Sequence, residues 1–276
     1  MKRSQDSPAA RKISEIRAFD KITAIDGVKL ESTTNYFAPL EGVIDKEVKV
    51  DLINRGGITR SVYLTPVSQD EYHELAWRFR ESKTQGTVDQ LSQNQVGYIA
   101  LQQISAASVA KFEDDIKVLS QSKRALVIDL RGNSGGSEHD RLLSILSRKP
   151  YVKHSPRLGS GGSDAPWAFA GPIALLVDEY TSSDAEIVAQ GFKELKLGEV
   201  IGTTTYGAVI GTEKKIMADG SVLSVPTVGW FSLSDQNLEN LGVTPDHHVA
   251  LDLSKADRGE DNQLAEAVSR LMSKLR

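Results

Sequence analysis

Ser183 begins the stretch Ser183-Asp184-Ala185-Glu186-Ile187-Val188, which follows an apolar run, Ile173 to Val177, and a small polar cluster. A serine between the end of a buried strand and the start of a helix is held by rigid elements. Its hydroxyl is pushed outward, beside N–H groups that a helix start leaves unpaired. That placement suits a nucleophile. Ser183 through Glu186 also reads as a capping box, Ser at N-cap and Glu at N3, which would leave the serine a structural part. A second stretch, Asp129-Leu130-Arg131-Gly132-Asn133-Ser134-Gly135-Gly136, follows another apolar run. Tandem glycines let backbone N–H groups face a cleft with no side chain in the way. Acyl transfer needs such donors where negative charge develops on a carbonyl oxygen. The N–H of Gly135 (or Gly136) and that of Asp184 would together form an oxyanion hole. The plainer reading of the glycines is a tight turn or an anion-binding nest. A P-loop is not supported, because no Gly-Lys-Ser/Thr follows.

The elements that must position these residues follow from the pattern. From Val96 onward, strands alternate with helices: strands at 97–101, 124–130, 173–177 and 199–202, helices at 108–120, 139–147 and 263–275. Apolar residues recur at helical spacing in the helices (Val109, Phe112, Ile116, Leu119), and the strands are continuous apolar runs. Alternation of this kind implies an α/β layered core. Lys215-Ile216-Met217 and Val222 to Val225 flank Asp219-Gly220, a hairpin signal. Residues 1–66 read as a small β-rich module with strands at 21–25, 28–30, 47–53 and 59–64. Residues 67–95 read as a connector: 71–79 a short helix or strand, 86–95 a polar loop, as is 158–164.

The chain has 276 residues, a formal net charge of -4, 39% hydrophobic, 25% charged and 6% aromatic residues. Those values fit a soluble globular chain and argue against nucleic acid as a partner. No apolar stretch reaches the ~20 residues that span a membrane. With no cysteines, disulfides, Cys-ligated metals and Cys nucleophiles are excluded. No cofactor and no metal site are expected. His247-His248 beside Pro245-Asp246 hints at metal, but adjacent residues on a strand face opposite sides. The start, Met1-Lys2-Arg3-Ser4, lacks the apolar core of a signal peptide. The compartment stays open: cytoplasmic if the chain is complete, periplasmic if an upstream signal segment was removed.

Four motifs in order carry a resemblance: Asp129 to Gly136, Val177 to Ile187, Ile201 to Thr212, and Leu238 to Asp246. Together they resemble the tail-specific protease superfamily, and within it the tricorn-type core, over residues 66–276. Ser7-Pro8-Ala9-Ala10-Arg11 and Phe19 to Val28 resemble a PDZ domain of the bacterial protease type. In such modules a strand and a carboxylate-binding loop precede Ser-Pro-Ala-Ala; here that segment falls almost at the chain start. The resemblance implies a crotonase/ClpP-like core (96–276) with an N-terminal, truncated PDZ-like module (1–66).

By position, the resemblance implies Ser183 as nucleophile and the Gly135 and Asp184 amides as oxyanion hole. It implies Glu239 as the acid that orients the base, and Gly136, Tyr206 and Gly207 as substrate-binding residues. Taken locally, Glu239 is a solvated loop carboxylate. The Ser–Lys branch of the superfamily places its lysine after Tyr206-Gly207, where this chain has Ala208. Lys214 and Lys215 read as exposed strand residues. The tricorn-type branch takes a histidine base from a segment before the PDZ module. None of His73, His139, His154, His247 and His248 matches it. His139 reads as a helix-start histidine and His73 as a surface or packing one. The expectation is a serine-type peptidase core acting on peptides or unfolded protein, its base missing, and so a poor nucleophile alone. The alternatives are a catalytically silent peptide-binding homologue and, more remotely, a crotonase-like acyl-CoA enzyme. No carboxylate lies around Val152 to Ser155 to select basic side chains. A homo-oligomer is left open.

Overall fold

The apolar runs of residues 96–202 form a parallel sheet in a computed structural model that describes residues 16–17, 19–158, 162–164 and 168–276. The Ser7–Arg11 segment and residues 159–161 of the Gly/Ser loop lie outside the described residues. The chain divides into two compact units between Lys83 and Thr84.

In the first unit, β1 (Lys21–Ile25), β2 (Val28–Lys29), β3 (Val48–Ile53) and β4 (Thr59–Leu64) form an antiparallel sheet in the order β2-β1-β3-β4. Asp26 and Gly27 both take positive φ, 46° and 81°, so the two-residue turn fits the twist of its strands. Strand β3 alternates: Val48, Val50 and Leu52 are buried with Val62, while Lys49 faces solvent.

The connector is corrected. Residues Gln69–Ser92 form one helix, α1, which continues through Gly86 and the stretch read as a loop. Its end is tied down despite its polarity. Val88 is fully buried, the Ser92 hydroxyl accepts from Val96 N–H, and Lys123 Nζ reaches Asp89 at 2.8 Å.

The second unit is built on β5 (Val96–Ala100), β6 (Ala125–Asp129), β9 (Ile173–Val177), β10 (Gly198–Gly202) and β13 (His247–His248). Neighbouring strands are parallel throughout, in the order β13-β10-β9-β6-β5. Successive residues face opposite sides. Ile99, Leu126, Ile128, Leu175 and Val177 pack with helices α2 (Ala106–Ser122), α3 (His139–Ser147) and α4 (Asp184–Glu194). Tyr98, Val127, Ala174, Leu176 and Ile201 pack with Val88 of α1 and with Leu264, Val268 and Leu271 of α6 (Asn262–Lys274). Both faces are covered, so the strands read as unbroken apolar runs.

Short elements that went unread in the sequence include β13, a 3-10 turn at Ala38–Leu40, helix α5 (Leu253–Asp257) and the strands at Lys153–His154 and Gly162–Ser163, the last within the stretch read as a loop. Strands β7 (Lys153–His154) and β8 (Gly162–Ser163) pair with each other. The expected hairpin around Asp219-Gly220 is present as β11 (Gly211–Ile216) and β12 (Val222–Val228). Adjacent strands β6 and β9 run in register, Asp129 opposite Leu176, and so deliver the glycine-rich turn and the serine turn to one end of the sheet. The carboxyl edge of a parallel sheet is where such folds place their sites.

Candidate active site

Ser183 lies between β9 and α4 at φ 57°, ψ −127°, a conformation a non-glycine residue adopts only at a cost. Neighbouring groups hold it there. Its N–H lies 3.0 Å from both the Ala208 carbonyl and the Glu186 carboxylate. The Glu186 N–H is also met by the Ser183 carbonyl at 2.9 Å.

Glu186 does more than cap. It is fully buried, and its carboxylate accepts from Ser183 N–H, Thr205 Oγ1 (2.5 Å), Gly207 N–H (2.7 Å) and Ala208 N–H (2.9 Å). One side chain therefore fastens the 205–208 segment to the Ser183 turn. Thr205 Oγ1 in turn accepts from Val243 N–H at 2.7 Å. A sequence reading that stops at the capping box misses this. The available signal is a carboxylate at N3, in the first turn of a helix whose neighbours Ala185, Val188 and Ala189 are all buried.

The glycine-rich turn packs directly on Ser183. Gly135 takes φ +94°, and a Cβ there would stand 2.6 Å from Ser183 Cβ and 2.8 Å from Asp184 N. Asn133, also missed in the sequence, sets this turn. Its Nδ2 donates to the Leu101 carbonyl (2.7 Å), and its own carbonyl accepts from Ser182 N–H (2.9 Å). Of the two glycine amides expected as oxyanion donor, one is already paired. Gly135 N–H is spent within the turn, donating to Asn133 Oδ1 at 2.8 Å. The exposed Gly136 N–H and the Asp184 N–H have no hydrogen-bond partner among the described residues. The open pair of amides is Gly136 and Asp184.

Below the turn, Asp129 and Arg131 hold the end of β6. Arg131 pairs with Asp129 (2.6 Å) and with Asp261 (2.9 Å), the N-cap of α6. Burial works against the guanidinium charge, but Asp129 and then Asp261 outweigh it, so Arg131 stays well above its ordinary range. Tyr98 donates to Asp129 at 2.9 Å, and burial followed by the Asp129 charge pushes its phenol far up, keeping it a neutral donor. Asp178 at the end of β9 accepts from Gly132 N–H (2.8 Å), and Thr181 Oγ1 donates to the Leu130 carbonyl (2.9 Å). The two turns are thus laced together from both strands.

Glu239 reaches the same region. Its Oε2 accepts from Val209 N–H (2.7 Å) and Ile210 N–H (2.9 Å), directly after Ala208. Gly207, at φ +84°, packs against the backbone of Asn240 to Gly242, and its carbonyl accepts from Asn240 N–H (2.8 Å). The Tyr206 ring is exposed beside it.

Ser183, Gly135, Gly136, Tyr206, Gly207 and Glu239 belong to loops and turns joined by these bonds, and Asp184 opens helix α4. The described histidines do not meet Ser183. His73 approaches Gln69 on α1, His154 and His248 are exposed, and His247 lies 3.6 Å from Glu199. His139 bonds the Asp184 carboxylate instead, at 2.5 Å from Nδ1. Lys214 and Lys215 are exposed on β11. No metal-holding cluster of His, Cys, Asp or Glu occurs among the described residues, and no described helix is long and apolar enough to cross a membrane.

The arrangement can be compared with known proteins. Tricorn protease of Thermoplasma volcanium is 28% identical over 258 residues, 93% of this chain and 25% of that protein. Tricorn protease homolog 1 of Streptomyces coelicolor is 29% identical over 278 residues, 98% of this chain and 25% of that protein. The crystal structure of the tricorn protease superposes with a TM-score of 0.78 at 27% identity, covering 93% of this chain and 25% of that one. The chain spans about a quarter of the length of these relatives. Its mixed architecture, a parallel sheet with a separate antiparallel one, is that of the tricorn protease structure. The profile of peptidase family S41 matches residues 95–249, more than half the chain and all of the laced turns, and the chain belongs to that family.

Proposed function

We propose that this chain carries the nucleophile and oxyanion hole of a serine peptidase that hydrolyses peptide bonds in peptides or unfolded protein. The observation that carries the reading is the packing of the Gly135 turn on Ser183, with the Gly136 and Asp184 amides left open. The Ser183 Oγ attacks the scissile carbonyl carbon and its proton passes to a base. The charge on the carbonyl oxygen is met by the two amides. The C–N bond breaks, the amine leaves with a proton, and water cleaves the Ser183 ester. Glu239, with Oε2 fixed by two amides, orients the base. Gly207 and the exposed Tyr206 line the approach of the peptide. This reading takes the base from a group outside the described residues, since no described histidine or lysine hydrogen-bonds Ser183. The β-rich first unit acts as a PDZ-like module.

That same observation favours a second reading, a peptide-binding homologue without turnover. A fluorophosphonate probe tests the first. Slow labelling that vanishes in Ser183→Ala, with little peptide turnover, is expected. Labelling that survives Ser183→Ala would overturn the nucleophile. Robust turnover lost in Ser183→Ala would keep the nucleophile and overturn the missing base.

A further inference from the structure

His139 is half-buried at the first position of α3, three residues after Gly136. Its Nδ1 lies 2.5 Å from Asp184 Oδ1, and Glu138 N–H donates to Asp184 Oδ2 at 3.0 Å. A carboxylate only accepts, so the imidazole presents Nδ1–H. Both oxygens of Asp184, a side chain 5% exposed, are thus held by the residues that follow the glycine-rich turn. Asp184 N–H is one open amide and Gly136 N–H the other. The Asp184 side chain therefore ties the two halves of the hole to each other, joining the start of α4 to that of α3.

The imidazole also meets an aromatic ring. Trp230 stands edge-on to it, ring centroids 5.2 Å apart, and packs on the core. The Trp230 carbonyl accepts from Leu238 N–H (3.0 Å), next to Glu239. His139 sits between the residue after the nucleophile and the loop of the acidic site residue. Its ring bonds neither the Ser183 hydroxyl nor another titratable group besides Asp184 among the described residues.

We propose that His139 is a positioning residue of the oxyanion hole: it locks the Asp184 carboxylate to the start of α3 and so fixes the spacing of the Gly136 and Asp184 amides. A donor 1 Å out of place loses much of its effect on a developing oxyanion, whereas ground-state peptide binding barely feels it. The inference rests on the proposed hole.

A peptide boronic acid tests it without needing a general base. Ser183 Oγ bonds to boron, the hydroxyl proton leaves to solvent, and the anionic tetrahedral boron places an oxygen in the hole. Titration calorimetry would compare this boronate with the matching peptide amide. In His139→Ala, boronate affinity is expected to fall at least ~10-fold while amide affinity holds within ~2-fold. In His139→Asn, whose amide nitrogen can replace Nδ1–H, most of the boronate affinity returns. Equal loss for both ligands, or no loss for the boronate, would overturn the positioning role. Thermal melts of both variants exclude an unfolding artefact, and His139→Asn decides the matter if the alanine variant melts early. If the parent chain does not bind the boronate in a Ser183-dependent way, the oxyanion-hole reading itself falls, and this inference with it.

Discussion

A Cβ on Gly135 would stand 2.6 Å from Ser183 Cβ, closer than two such carbons approach. Gly135 is also at φ +94°, where an L-residue is strained. Its would-be neighbours include the Asp184 amide nitrogen and the Ser182 carbonyl, backbone atoms that cannot swing aside. Gly135→Ala is therefore expected to cost ~2–4 kcal/mol and to displace the serine turn. Fluorophosphonate labelling should drop at least ~10-fold in protein that still melts cooperatively. Gly132→Ala makes a useful control, since φ there is +69° but nothing lies within 4 Å of the added carbon. It should cost about 1 kcal/mol and leave labelling nearly intact.

Glu186 gathers four donors into one buried carboxylate, and Glu186→Gln replaces one acceptor oxygen with a donor. At least one buried N–H would then face an N–H. Each such loss costs about 1–3 kcal/mol, so a total of ~3 kcal/mol is expected. For a unit of this size that is a fall in Tm of roughly 6–12 °C by calorimetry. The 205–208 segment should loosen with it, read as faster amide exchange at Gly207 and Ala208.

The parallel sheet was legible because its strands are covered on both faces and so spell continuous apolar runs. Helices α2, α4 and α6 carry their apolar residues at regular spacing and were equally open to reading. Helix α1 was not. Its surface is mostly polar, it contains Gly86, and its order depends on Val88 and Asp89 meeting partners distant in sequence. Strand β13 is two residues long and exists only by pairing with β10. In the site, Ser183 stood out because a strand and a helix flank it. Glu186, Asn133 and His139 did not, because their roles come from bonds to Ala208, Leu101 and Asp184, which no local pattern encodes. Asn133 Oδ1 takes the Gly135 amide, which leaves that of Gly136 for the proposed oxyanion hole.

Glu199 on β10 faces α6, where Lys274 Nζ lies 2.8 Å away and Arg270 Nη1 3.6 Å away, with His247 at 3.6 Å. The Lys274 hydrogen bond, and then the charges of Lys274, Arg270 and His247, hold its carboxyl below the ordinary 4.5. A depressed carboxyl adds stability above its unfolded value and loses it as pH falls through the folded one. Melting of the parent chain and Glu199→Gln should therefore differ most at about pH 6, by up to ~1 kcal/mol. The difference should shrink as pH falls below the ordinary carboxyl range and vanish once the folded-state carboxyl is protonated too. A gap that grows on acidification would contradict the ion-pair assignment.

By the resemblance, Ala208 stands where the other, Ser–Lys branch of the superfamily would place its lysine. Its N–H is held by Glu186, its carbonyl accepts from Ser183 N–H, and its side chain is half-buried. The backbone that would carry such a base is thus already fixed against the nucleophile. Ala208→Lys puts an amine on a flexible four-carbon stem beside Ser183, partly desolvated, which lowers the pKa of an ammonium toward a useful range. The variant is expected to label with fluorophosphonate at least ~10-fold faster than the parent, with a rate that rises with pH as the amine loses its proton. Ala208→Met, similar in length but without a base, should not. Equal rates for the lysine and methionine variants at every pH would show that position 208 does not address the Ser183 hydroxyl.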